Sequence, residues 1–139
     1  MRLRYLLDTN VVSEALRPAP DEGVLDRLRQ HQTEIAIPSV VWHELWYGCF
    51  RLPLSTKRTV IETYLKDVIA RTIPILSYDQ RAALWHAHER ARLGQIGRPP
   101  PFADGQIAAV AATNGLCLIT FNRDDFVAFR DLPLEDWRP

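Results

Sequence analysis

Short apolar runs alternate with longer segments of helical spacing along the 139 residues. That alternation predicts an α/β fold with a central, mostly parallel β-sheet flanked by α-helices. A second observation supports it at the N-terminus. Tyr5-Leu6-Leu7 runs straight into Asp8, then into small polar residues and a helix-like stretch. A buried strand that ends in a carboxylate and turns into a helix places charge at the rim of a sheet, where open α/β sheets bind ligands.

The elements follow in order. Val11 to Leu16 reads as a short helix, broken by Arg17-Pro18-Ala19-Pro20. Asp21 or Glu22 opens a helix carrying Val24, Leu25 and Leu28 that ends near Gln32. Ile35-Ala36-Ile37-Pro38 is a short buried strand. Ser39 is placed to cap the next helix, which runs to about Arg51 before Pro53. A further helix spans roughly Ser55 to Ala70, with Ile61, Tyr64, Leu65, Val68 and Ile69 at helical spacing. Thr72 to Ile75 reads as a strand, and Pro74 marks it as an edge. Ser77 to Leu93 is helical, with Ala83, Leu84, Ala87 and Ala91 as its apolar residues. Gly94 to Pro101 is a loop. Phe102 to Asn114 is a helix stopped by Gly115. Leu116 to Thr120 is a strand, Arg123 to Phe126 a helical turn, and Leu132-Pro133-Leu134 a last edge strand.

Composition narrows the function. The length suits one domain, residues 1–139. Charges balance at 17 against 17, but only Lys57 and Lys66 among the basic residues are lysine. Arginine is the better side chain for bidentate phosphate contacts. If several acids share a pocket, the rest of the surface is left mildly basic, which is compatible with RNA. Cys49 and Cys117 lie in apolar runs and are expected as buried thiols, with no zinc-like spacing. No apolar run approaches the ~18 residues of a membrane span. A soluble cytoplasmic protein is expected, without a membrane partner.

Three acids stand out beside Asp8. Each has an ordinary explanation when taken alone. Asp8 itself could simply cap its turn. Glu44 lies only ~60° around its helix from Val41, so it flanks the buried seam and could be a boundary residue. Asp104 shares a face with Ile107, Ala108 and Ala111. An acid there costs stability unless a cation or donors compensate, although it also complements the helix N-terminus. Asp124 and Asp125, with Asn122, follow a strand end as Asp8 does. In a parallel sheet these four segments converge on one edge. Convergent carboxylates raise each other's pKa unless a cation holds them. Hard divalent cations prefer such oxygen ligands, and a metal of this kind suits phosphodiester hydrolysis.

These stretches resemble a known family. Leu7-Asp8-Thr9-Asn10-Val11, Ser39 to Gly48 with Glu44, Ala103-Asp104-Gly105-Gln106-Ile107, and Thr120-Phe121-Asn122-Arg123-Asp124-Asp125-Phe126 together resemble the PIN domain, and specifically the VapC-type toxins of bacterial toxin–antitoxin pairs. The resemblance implies a Mg²⁺- or Mn²⁺-dependent endoribonuclease acting on structured RNA such as tRNA or rRNA. It also implies a small VapB-like antitoxin as partner and a homodimer. By position, Asp8 and Asp104 match the metal acids, Glu44 the second acid and Asp125 the last, with Asp124 and Asn122 as alternatives for that fourth place. Asn10 and Thr120, with Asn122, match polar residues that support the acids. The family often has a basic residue where this chain has Phe121.

Other constellations carry less. His31, His43, His86 and His88 do not form a pattern for metal-free acid–base catalysis. Trp42, Trp46 and Phe50 make a second apolar stripe on their helix, either core or a surface for the antitoxin. Arg90, Arg92 and Arg98 precede Asp104 and could contact RNA phosphates. The rival readings are a non-catalytic RNA- or protein-binding module of the same fold, and a related DNA nuclease.

Overall fold

The structure, a computed structural model, describes residues 2–139. Five parallel strands form one sheet in the order β3-β2-β1-β4-β5. They are β1 (Tyr5–Leu7), β2 (Ile35–Pro38), β3 (Ile75–Leu76), β4 (Cys117–Ile119) and β5 (Leu134–Glu135). The central strand β1 is fully buried, as its apolar sequence requires. It pairs with β2 through Tyr5–Ile35 and Leu6–Ala36. On its other side it pairs with β4 through Tyr5–Cys117, Leu6–Leu118 and Leu7–Ile119. The chain builds outward from β1 to β3, then crosses back to lay β4 and β5 on the opposite side. The order therefore reverses between β1 and β4, and a crevice opens outside their carboxyl ends.

The helices are α1 (Thr9–Ser13), α2 (Glu22–Gln30), α3 (Ser39–Phe50), α4 (Thr56–Thr63), α5 (Ala70–Thr72), α6 (Gln80–Gln95) and α7 (Phe102–Thr113). Asp21, Ser55 and Asp79 cap α2, α4 and α6 through their side chains. Ser39 does not cap α3. It is the first helical residue, and Pro38 occupies the cap position without a side-chain bond. The tail strand expected around Pro133 forms one residue later, because a ladder strand needs N–H donors that proline lacks.

Two helical faces differ from the sequence expectation. The rod from α4 to α5 is joined by a π-helical stretch, Tyr64–Ile69. Its wider turn keeps Leu65 and Ile69 in the core but leaves Val68 45% exposed. On α6 the buried residues are Ala82, His86, Glu89 and Leu93, while Leu84 is 64% exposed. Glu89 is fully partnered there and His86 is partnered at one ring nitrogen. Glu89 receives both fork nitrogens of Arg92 at 2.8 Å and the Arg130 backbone N–H at 2.7 Å. His86 Nδ1 lies 2.8 Å from the Tyr78 hydroxyl. Cys49 is buried as expected, whereas Cys117 is half-buried. Its thiol donates to Glu135 at 3.3 Å and is pushed up to about 12, by burial first and then by that carboxylate. No helix among the described residues is long and apolar enough to cross a membrane.

Candidate active site

Asp8 leaves the carboxyl end of β1 and is 8% exposed. Its backbone N–H donates to Ile119 of β4 at 2.9 Å, which ties the two strand ends together across the crevice. Both carboxylate oxygens are engaged. Oδ1 accepts the Thr9 backbone N–H at 2.8 Å, so Asp8 caps α1. Oδ2 accepts the hydroxyl of Thr120, the fully buried residue after β4, at 2.8 Å. Thr120 Oγ1 in turn accepts the Asn122 backbone N–H at 3.0 Å, which shapes the turn before Asp125. Asp8 thus serves as a cap and faces the crevice at once. Its carboxyl sits above the ordinary range because burial outweighs the Thr120 and Thr9 hydrogen bonds, with Glu44 and Asp125 adding to the rise.

Glu44 reaches the same place from the second turn of α3. Its Oε2 accepts the Thr9 hydroxyl at 2.5 Å. Thr9 therefore bridges two acids, with its backbone on Asp8 and its side chain on Glu44. Sequence reading did not single out Thr9; the signal was a hydroxyl next to an acid at a helix start.

Asp104 stands in the first turn of α7, half-buried. Burial pushes its carboxyl from an ordinary 3.8 up to about 6, and the charges of Asp125, Asp8 and Glu44 add to it in that order. The helix is held close by its neighbour. A Cβ on Gly105 would lie 2.1 Å from His86 Nε2, so only glycine lets the α6 imidazole seat against this turn. Asp125, in the 3₁₀ turn Arg123–Asp125 after β4, completes the group from an exposed position.

Four acids from four segments are thus coupled through space at the crevice. Among the described residues, no three His, Cys, Asp or Glu side chains stand close enough together to ligate one ion. Mg²⁺ does not need such a cage, since it typically takes one or two carboxylates and fills its shell with water and phosphate. The donors present suit it: all are hard oxygens, and Asn10 Oδ1, two residues beyond Asp8, is buried with no hydrogen-bond partner. Asn122 is exposed and contributes its backbone N–H, while Asp124 is exposed beside Asp125.

The remaining expected contacts divide. Arg92 is committed to Glu89 and to the Ala128 carbonyl at 2.9 Å, so it braces α6 against the C-terminal segment. Arg90 lies over the Phe102 ring, with Cζ 5.2 Å from its centroid. Arg98 lines a cleft of about 340 Å³ with Pro99, Asp124 and Asp125. Trp42 and Trp46 are half-buried, and Phe50 is 57% exposed. The three line a shallow apolar groove with His43 and Tyr47. Glu14, which nothing in its local sequence separates from the surface acids, is 2% exposed. It accepts the Asp21 backbone N–H at 2.8 Å and pairs with Arg17 at 3.2 Å, closing the loop between α1 and α2.

Comparison with known proteins gives a consistent picture. The PIN domain family matches residues 5–132. The tRNA(fMet)-specific endonuclease VapC of Shigella flexneri is 31% identical over 135 residues, covering 97% of this chain and 98% of that protein. A crystal structure of FitAcB from Neisseria gonorrhoeae superposes with a TM-score of 0.88 at 31% identity, over 96% of this chain and 97% of that one. The DNA-bound VapBC structure from Salmonella typhimurium gives 0.85 at 29% identity, over 97% and 98%.

Proposed function

The chain belongs to the PIN domain family, and on that footing we propose that it is a divalent-metal-dependent endoribonuclease, the toxin of a toxin–antitoxin pair, that hydrolyses phosphodiester bonds in structured RNA. The observation that carries the reading is Asp104. A half-buried carboxylate is pushed to about 6 by burial and three other acids. A pocket that opposes its own charge in this way suits a cation.

In this reading Asp8 and Asp104 hold Mg²⁺ or Mn²⁺, and Glu44 and Asp125 complete the acidic pocket. When bound, the ion lowers the pKa of water and offsets charge on the attacked phosphate. The chain's own part is positioning. Thr120 and the Thr9 backbone N–H fix both oxygens of Asp8. The Thr9 hydroxyl sets Glu44 against Asp8. Seating of His86 on Gly105 sets the height of Asp104 over the crevice. Arg90 and Arg98 approach RNA phosphates from the rim. The groove of Trp42, Trp46 and Phe50 takes a VapB-like antitoxin, and the toxin acts in the cytoplasm as a homodimer or in complex with that partner.

The test is cleavage by the purified chain. Total tRNA, rRNA and single-stranded DNA are incubated with Mg²⁺, with Mn²⁺, or with EDTA. RNA should be cut with metal and left intact in EDTA. Cutting of DNA alone would favour the DNA nuclease, and cutting of neither would favour the binding module.

A further inference from the structure

Resting on the ribonuclease reading, we propose that the outer face of the Arg138 guanidinium, backed by Phe121, is a subsite that stacks a nucleobase beside the cleaved phosphate. Phe121 follows Thr120 directly, and its ring packs partly against the core. Arg138 lies over that ring with Cζ 4.5 Å from the centroid. Its Nε/Nη2 edge is already taken. Nε donates to Asp136 Oδ1 at 3.1 Å, and Nη2 donates to Asp136 Oδ2 at 2.6 Å and to the Phe121 carbonyl at 3.0 Å. The Arg138 backbone N–H adds a bond to Asp136 at 2.9 Å.

These contacts decide what the residue can do. Phosphate is gripped by a pair of N–H groups on one edge of arginine, and here the Nε/Nη2 edge belongs to a carboxylate that also offsets the charge, while the other N–H of Nη2 is held by the Phe121 carbonyl. What remains is Nη1, too little for a two-point phosphate grip, and the flat outer face of a side chain that is 45% exposed. A planar cation pinned on an aromatic ring loses little freedom when a third ring stacks on it, and unpaired RNA bases stack on arginine planes. The position is right for this role. Phe121 and Asp136 line a cleft of about 340 Å³ together with Asn122, Arg123, Asp124 and Asp125. A base lying on Arg138 would therefore sit beside the cleft that Asp124 and Asp125 line.

The experiment uses a synthetic RNA spanning the mapped cut site and a set in which each flanking nucleotide in turn is abasic. Wild type, Arg138→Lys and Phe121→Leu are compared by kcat/KM with Mg²⁺. Lysine keeps the charge and loses the plane. Loss of one stacked base corresponds to a drop of roughly 5- to 150-fold. Both variants should show it on intact RNA. They should match wild type on the RNA that is abasic at the stacked position and at no other. 2-Aminopurine at that position should be quenched by wild type in Ca²⁺ and not by Arg138→Lys, which reads stacking without turnover. Full activity of Arg138→Lys, or the same loss on every abasic RNA, overturns the subsite and leaves the ribonuclease reading intact. Failure of wild type to cut any RNA overturns both.

Discussion

Replacing Asp104 by Asn should make the metal-free protein more stable while removing its activity. Asp104 titrates at about 6 in the folded chain instead of the ordinary 3.8. Held fully out of water, a carboxyl displaced that far would cost ~3 kcal/mol when ionised. Asp104 is only half-buried, and screening by water reduces this to ~1–2 kcal/mol. Between those two pH values the folded state binds more protons than the unfolded state. Stability therefore falls as pH rises through that window, and the full cost applies above about 6. Asparagine keeps the shape and removes the charge. In EDTA at pH 7, Asp104→Asn should gain ~1–2 kcal/mol in urea unfolding, or ~3–7 °C in melting temperature for a chain of this size. The gain should vanish near pH 4. Mn²⁺ should raise the melting temperature of wild type more than that of the variant. A variant less stable than wild type at pH 7 in EDTA, or an advantage independent of pH, would refute the reasoning.

Three other outcomes follow from the geometry. Gly105→Ala places a methyl 2.1 Å from His86 Nε2, and the buried imidazole is tied to Tyr78, so urea unfolding should show a loss of at least ~1–3 kcal/mol, partly restored by adding His86→Ala. Arg92→Ala strands the buried Glu89 carboxylate and should cost ~3–5 kcal/mol by the same measurement; unchanged stability with weaker RNA binding would return Arg92 to the substrate contacts. Thr120→Val removes the donor to Asp8 and the acceptor for Asn122, leaving the buried Asp8 oxygen unpaired. It should cost ~1–3 kcal/mol and lower RNA cleavage, read by gel.

The ends of β1 and β4 were legible because an apolar run and a following Asp8 or Thr120 write them into the chain. The strand order was not. Pairing of β1 with β4 joins residues more than a hundred positions apart, and no local pattern specifies it, so the reversal that creates the crevice is seen only in the fold. At Asp8 the capping reading holds, with one oxygen on the Thr9 N–H that opens α1 and the other held by Thr120. The inward face of α6 is not legible from its apolar residues alone, since Leu84 is exposed and His86 and Glu89 are buried. Glu89 turns inward since Arg92 and Arg130 satisfy it, and His86 does so with Nδ1 on Tyr78 and Nε2 unpaired against Gly105. Glu14 escaped for the same reason, although Arg17 three residues on and the loop N–H of Asp21 were its available partners. Asp104 was the opposite case. An acid on a stripe of small apolar residues has no local partner to explain it, and the fold supplies three more acids.

Titration of Mn²⁺ into the metal-free protein, followed by electron paramagnetic resonance of the free ion, tests the shared cation site most directly. Wild type should take up Mn²⁺, and Asp8→Asn/Asp104→Asn should bind it at least ~10-fold more weakly while remaining folded. Equal uptake by the two proteins, or none by wild type at millimolar Mn²⁺, would contradict a common site formed by the acids of β1 and α7.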